Sequence, residues 1–330
     1  MSTLGIGVIG VGHLGSLHAK LLRDVPGVKL SGVYDERRDH AAKVAAEMGT
    51  TAFPDLGALL AASDAVTIAT PTSTHAAVAA LAIEQGRHVM IEKPITANVE
   101  EAEALCAHAR AKGVTVQVGH VERFNAAILA LDKFELHPLF VESHRLAQFN
   151  PRGTDVAVVL DLMIHDIDLI LSFVQSPVKH VDASGVAVVS DNVDIANARL
   201  QFENGCVANV TASRISQRKM RKMRLFQPST YISIDFSQGL SEVFRLSSPD
   251  EPVEPGVMTL GEIGTGDRRR RVLYEQPEVR EVNALQHELG LFAQAVRNGT
   301  RPVVSGEDGL RALQVADIIM DRIGEQRIVL

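Results

Sequence analysis

No stretch of this sequence stays apolar long enough to span a bilayer, and no basic segment leads into a signal-type apolar core. The expectation is a cytoplasmic protein with no membrane segment. Cysteine is nearly absent. Cys106 and Cys206 stand far apart, with neither metal-ligand nor redox spacing, so a reducing compartment, no metal, and thiols acting as apolar fillers are expected. Excess positive charge is missing too: 33 basic against 40 acidic side chains give a net charge of −7, which excludes general attraction to nucleic acid. Internal repeats are also lacking. What remains is an ordinary globular composition, 46% hydrophobic and 22% charged, over 330 residues. That is more than one core accommodates, so two domains are expected.

The first third alternates apolar runs with helical patterns. Gly5–Ile9, Val28–Tyr34, Ala65–Ala69, His88–Ile91 and Val114–Val118 are apolar on both faces, as buried parallel strands should be. Helical stretches at 16–24, 38–48, 74–85 and 98–112 lie between them, the last opened by the capping residues Thr96-Ala97-Asn98. This order predicts an α/β fold beginning with a doubly wound parallel sheet. Beyond it, residues 154–174 read as one long helix. The strand-like runs 181–189, 195–202, 207–212, 231–236 and 243–246 follow, and Asn204-Gly205 marks a hairpin in a mostly antiparallel sheet. Residues 249–267 read as a surface loop and Arg268–Arg271 as a solvated turn. Helices at 283–298 and 307–323 close the chain, with Ser305-Gly306-Glu307-Asp308 as a cap. The predicted division is a dinucleotide-binding domain at 1–121 and a substrate-binding and oligomerisation domain at 122–330, with the C-terminal helices packing back toward the first.

The sharpest motif is Gly10-Val11-Gly12-His13-Leu14-Gly15, which follows a strand, opens a helix, and has Asp35 at the end of the next strand. Gly10 allows the tight turn, Gly12 lets a pyrophosphate approach the backbone, and Gly15 permits helix–sheet contact. The N–H groups of the helix start, from His13 and Leu14 on, face the phosphates. Asp35 suits a ribose diol and favours NAD over NADP. Arg37 and Arg38 could serve a 2′-phosphate or simply be solvated.

Thr70-Pro71 and Glu92-Lys93-Pro94 end parallel strands, where ligands bind in such sheets. A lysine held before proline, in an extended, turn or cis conformation, can hydrogen-bond a substrate hydroxyl. Asp161 and His165 lie four apart on one face of an otherwise apolar helix, and Asp168 continues the stripe. The imidazole suits removal of a hydroxyl proton, with Asp161 fixing its tautomer; a purely structural His–Asp pair fits the spacing equally well.

The glycine fingerprint, Thr70-Pro71 with His75, Glu92-Lys93-Pro94 and Asp161-x-x-x-His165, in this order, resemble the Gfo/Idh/MocA oxidoreductases over nearly the whole chain. The resemblance implies a Rossmann domain followed by an α/β domain whose large, mostly antiparallel sheet packs on a copy of itself, as a homodimer or homotetramer. It implies Lys93, Asp161 and His165 as the catalytic trio, with Thr70, Pro71, His75, Glu92 and Lys93 joining Gly10–Gly15 and Asp35 around NAD. Arg123 and Arg214 are added as candidates for the substrate. The basic segment Arg214–Arg224, read as a strand, could hold a diphosphate or be a charge-protected edge. A sugar or nucleotide sugar is expected as substrate, first a UDP-N-acetylhexosamine. Inositol or free-sugar oxidation, NAD-dependent glycoside cleavage and a non-catalytic NAD-binding redox sensor are the alternatives.

Overall fold

Strands β1 (Leu4–Ile9), β2 (Val28–Tyr34), β3 (Ala65–Ile68), β4 (His88–Glu92) and β5 (Val116–Gly119) pair in parallel in the order β2-β1-β3-β4-β5. The protein is described here by a computed structural model covering residues 3–150 and 156–325. Ile6, Val8, Ile68, Val89, Ile91 and Val118 are fully buried, because helices cover both faces. These are α1 (His13–Leu22), α2 (Arg38–Met48), the short α3 (Leu56–Ala61), α4 (Thr72–Glu84) and α5 (Val99–Lys112). Asn98 caps α5, its side chain accepting the Glu101 N–H at 2.9 Å. Strand order reverses between β1 and β3, the position at which such sheets bind ligands.

The chain divides into two units, Met1–Phe124 with Asn283–Gln314, and Asn125–Val282 with Val315–Leu330. In the first, helix α8 (Ala284–Asn298) joins the core beside α1 through Leu289, Phe292 and Ala293. Helix α9 (Gly306–Glu325) starts with a reciprocal cap. Ser305 N–H donates to the Asp308 carboxylate at 2.8 Å, while Asp308 N–H donates to Ser305 Oγ at 3.3 Å.

The second unit holds the short helix α6 (Ala126–Leu129), helix α7 (Ile164–Val174) and a nine-stranded sheet in the order β13-β14-β12-β11-β10-β6-β9-β8-β7. Its strands are β6 (Phe140–Leu146), β7 (Val178–Val186), β8 (Ile195–Phe202), β9 (Val207–Ser213), β10 (Met220–Gln227), β11 (Thr230–Asp235), β12 (Leu240–Ser247), β13 (Met258–Ile263) and β14 (Arg270–Glu275). Only β6 and β9 pair in parallel. The β8–β9 hairpin turns where expected, with Gly205 at φ +87°. On β6 and β10, Val141, Met223 and Leu225 point inward, whereas Phe140, Lys222, Arg224 and Phe226 point outward. The outward face carries an aromatic ladder, Phe140–Phe226–Tyr231–Phe244–Tyr274, with neighbouring centroids 4.9–5.8 Å apart.

Three expectations need correction. Residues 249–267 are not all loop, since β13 lies within them. It is exposed at every position and held by backbone pairing to β14, so no apolar pattern announces it. Arg270 and Arg271 belong to β14 instead of a turn. The segment Arg214–Arg224 is not one strand: β10 starts only at Met220, and Arg214 is buried, 5% exposed, donating to Val156 O next to the Asp194 carboxylate.

Candidate active site

At the β1–α1 turn each glycine has a distinct neighbourhood. Gly10 takes φ +79°, and a Cβ there would lie 2.9 Å from the Ala69 carbonyl. A Cβ on Gly15 would lie 1.8 Å from Gly10 O, whereas one on Gly12 meets nothing within 4 Å. The two outer glycines are therefore required by the chain's own packing, and the middle one borders open space. Helix α1 has Gly12 at its N-cap and no side-chain cap, so its first N–H groups have no intrahelical acceptors and suit an anion. His13 and Leu14 are exposed on that turn.

Val11 is the fixed point of the loop. Its N–H donates to Asp35 Oδ2 at 3.0 Å, and its carbonyl oxygen lies 2.8 Å from Ser16 Oγ and 2.7 Å from His40 Nε2. Asp35 also accepts the Arg37 N–H at 2.9 Å, and the Arg37 guanidinium lies 3.5 Å from the same carboxylate. Asp35 thus sits against the glycine loop, with Lys20, Arg37 and His40 around an adjoining depression of about 400 Å³. The uncapped helix start, the open space beside Gly12 and the acidic group at the end of β2 fit a dinucleotide.

At the end of β4, Glu92 Oε1 lies 3.0 Å from Nε2 of the fully buried His18. Burial pushes the Glu92 carboxyl up, but His18 and the Lys93 charge outweigh it and hold it below the ordinary range. Gly119 gives Glu92 its space, since a Cβ there would lie 3.1 Å from the carboxyl. The Lys93–Pro94 bond is cis, one of the conformations expected before this proline, and Lys93 itself is half-buried. His75, 1% exposed, lies with Nδ1 2.9 Å from Pro94 O and Nε2 2.9 Å from Thr70 O. Thr70 Oγ1 accepts from Thr74 Oγ1 at 2.8 Å, and Pro71 precedes α4. Burial pushes the Asp308 carboxyl up, but the Ser305 hydrogen bonds, with the charges of Arg123 on the turn Val121–Phe124 and of Arg311, hold it below the ordinary range.

In the second unit, the helix carrying Asp161 and His165 is not uniformly α. Val159–Met163 is a π-helical segment, and α7 (Ile164–Val174) continues from it; Thr154 and Asp155, the expected start of the helix, lie outside the described residues. Such segments are rare and recur at functional sites. Asp161 and His165 are half-buried, while Asp168 is buried, 1% exposed. Asp166, next to His165, receives a bidentate ion pair from Arg145 of β6, at 2.8 and 3.0 Å, with both side chains buried.

A family model described as an oxidoreductase family with an NAD-binding Rossmann fold matches residues 4–120, and the C-terminal domain model of the same family matches residues 138–237. UDP-N-acetylglucosamine 3-dehydrogenase of Acidithiobacillus ferrooxidans is 44% identical over 252 residues, 76% of this chain and 80% of that protein. The chain belongs to the Gfo/Idh/MocA family. The solved structure of that relative matches with a TM-score of 0.87 at 37% identity, covering 98% of this chain and 99% of the other. Myo-inositol 2-dehydrogenase of Thermotoga maritima is 26% identical over 342 residues, covering 98% and 97% of the two chains. This Gfo/Idh/MocA chain is thus an oxidoreductase with an NAD-binding Rossmann domain and a mostly antiparallel second sheet.

Several buried polar residues of this Gfo/Idh/MocA chain have no role predicted from sequence. His18, His120, Glu122 and Glu288 are buried in the first unit, and Asp166 with Arg145 in the second. His18 was findable: it shares the buried stripe of α1 with Gly15 and Leu22, where a polar residue needs a partner. Arg145 had no such signal, because β6 carries polar residues on both faces.

Proposed function

We propose that this chain is an NAD-dependent dehydrogenase of a secondary hydroxyl on a nucleotide sugar, first a UDP-N-acetylhexosamine, and that Lys93, Asp161 and His165 carry the chemistry. Bound at the glycine loop, the cofactor supplies a nicotinamide ring that exchanges hydride. His165 takes the hydroxyl proton as general base, Asp161 holds its imidazole in the tautomer that can accept it, and Lys93 donates a hydrogen bond to the reacting oxygen. Arg123 is assigned to the substrate's polar groups. NAD is preferred to NADP, because the Asp35 carboxylate repels a 2′-phosphate. The second unit is assigned to oligomerisation, a dimer or tetramer through the outward face of its sheet, on which Met220 and Phe226 are exposed.

The observation that carries the substrate class is the likeness to UDP-N-acetylglucosamine 3-dehydrogenase across most of both chains. The deciding experiment is a spectrophotometric screen of nucleotide sugars, free sugars and inositols with NAD and with NADP. NADH production with UDP-N-acetylglucosamine is expected. Activity on inositols alone would support the second reading, an inositol dehydrogenase, which the Thermotoga relative favours. Substrate cleavage without NADH accumulation would indicate glycoside cleavage, and NAD binding without turnover of any substrate would indicate a sensor. His165→Ala should lower turnover about 10²- to 10⁴-fold and leave NAD affinity unchanged.

A further inference from the structure

The turn that carries Asp161 departs from α-helical geometry. Asp161 N–H donates four residues back, to Ala157 O at 3.1 Å, whereas Ile164 N–H reaches five back, to Val159 O. Such turns are rare, so local preference alone does not hold this one. Its two ends are gripped by buried arginines of the sheet, each 5% exposed. Ahead of the turn, Arg214 Nη2 donates to Val156 O, and Val158 N–H donates to Val193 O at 2.9 Å. Behind it, Arg145 pairs with Asp166, the residue after His165. The two arginines come from neighbouring strands. β6 and β9 run in parallel, Arg145 lies opposite Ala212, and Arg214 is two residues further on.

Arg214 is itself fixed. Its backbone N–H donates to Asp194 O at 3.0 Å, and its Nε lies 4.0 Å from Asp194 Oδ1. Asp194 is fully buried and accepts the N–H groups of Val188, Val189 and Ser190 at 2.7–3.1 Å. A guanidinium has five donors and a permanent charge, so it serves the Val156 carbonyl and the Asp194 carboxylate at once. We propose that Arg214 is a positioning residue for the reaction: together with Arg145 it brackets residues 156–166 and keeps the π-helical turn from relaxing to α-helix. Relaxation would shift the register by one residue, about 100° of rotation about the axis, and so displace Asp161 relative to His165. This role rests on the reading of Asp161 and His165 proposed above. Arg214 then acts on the chemistry without touching the substrate, in keeping with its burial.

Steady-state kinetics of Arg214→Met and Arg214→Lys, on folded protein below its unfolding temperature, test this role. Arg214→Met should lower kcat about 10- to 100-fold, with KM for NAD within about twofold of the parent because the glycine loop lies in the other unit. Arg214→Lys, which keeps a charge and a donor, should recover part of the loss. Parent kcat in Arg214→Met, or equal losses in the two variants, would overturn the positioning role. A raised KM for the sugar substrate with intact kcat would overturn it too, and would return Arg214 to the substrate. If Arg214→Met does not fold, Arg214→Lys decides alone: lowered kcat with the parent KM for NAD supports the role, and parent kcat overturns it. His165→Ala, measured alongside, keeps the two readings apart. Full turnover there rejects His165 as the base, whereas slow turnover there with parent turnover in Arg214→Met rejects only the positioning role.

Discussion

Gly12 and Gly15 belong to one motif, yet they answer to different constraints. A Cβ at Gly15 runs into the Gly10 carbonyl, so Gly15→Ala should destabilise the fold by about 1–3 kcal/mol or more in denaturant unfolding. A Cβ at Gly12 meets only open space. Gly12→Ala should therefore keep its unfolding free energy within about 0.5 kcal/mol of the parent, yet bind NAD about tenfold more weakly by calorimetric titration. Loss of fold in Gly12→Ala, or unchanged NAD affinity, would remove the dinucleotide reading of that space. Asp194 provides a pH prediction. Burial pushes its carboxyl up, but the N–H groups of Val189, Val188 and Ser190 and the Ser190 hydroxyl pull it from 3.8 down to about 2. Because the folded value is the lower one, its stabilising effect is present above pH 3.8 and is lost as pH falls toward 2. Asp194→Asn should flatten acid unfolding in that window by up to about 1.4 kcal/mol per pH unit, the effect of one proton. An unchanged slope would contradict these bonds. The positions of the glycines, Asp35 and the Lys93-Pro94 pair at strand ends were legible from sequence because each follows an apolar run. His75 was legible as a motif member but not in its contacts, which depend on the carbonyls of two separate loops.

At the scale of elements, the parallel strands were readable because burial on both faces makes them continuously apolar. The antiparallel strands β6 and β10 were obscured by charge. Arg145 points inward to Asp166, and Lys222 and Arg224 point outward to Asp235 and Glu142, at 3.1 and 3.4 Å. The π-helical segment at Val159–Met163 had no signal in spacing, since the apolar stripe reads equally well as α-helix. The Arg145–Asp166 pair ties the start of α7 to the sheet, next to His165. Arg145→Met should cost about 3–5 kcal/mol, leaving a buried carboxylate uncompensated, whereas replacing both partners by apolar residues should recover most of the loss. Equal cost for the single and double replacements would show that shape, not charge, holds that junction.

For the whole molecule, one prediction concerns assembly. The outward sheet face combines the aromatic ladder with exposed Met220, Phe226 and Leu246. Light scattering should give a multiple of the chain mass, and Phe226→Glu should reduce it to the monomer; an unchanged mass would place the contact elsewhere. The central proposal is that Lys93 and His165 both carry the chemistry of hydroxyl oxidation. Its most direct test is a kinetic cycle with Lys93→Ala, His165→Ala and the double variant, on the substrate found in the screen. Groups acting together are non-additive, so the double variant should be no more than a few-fold slower than the slower single variant. Full turnover in either single variant, or losses that multiply in the double, would contradict it.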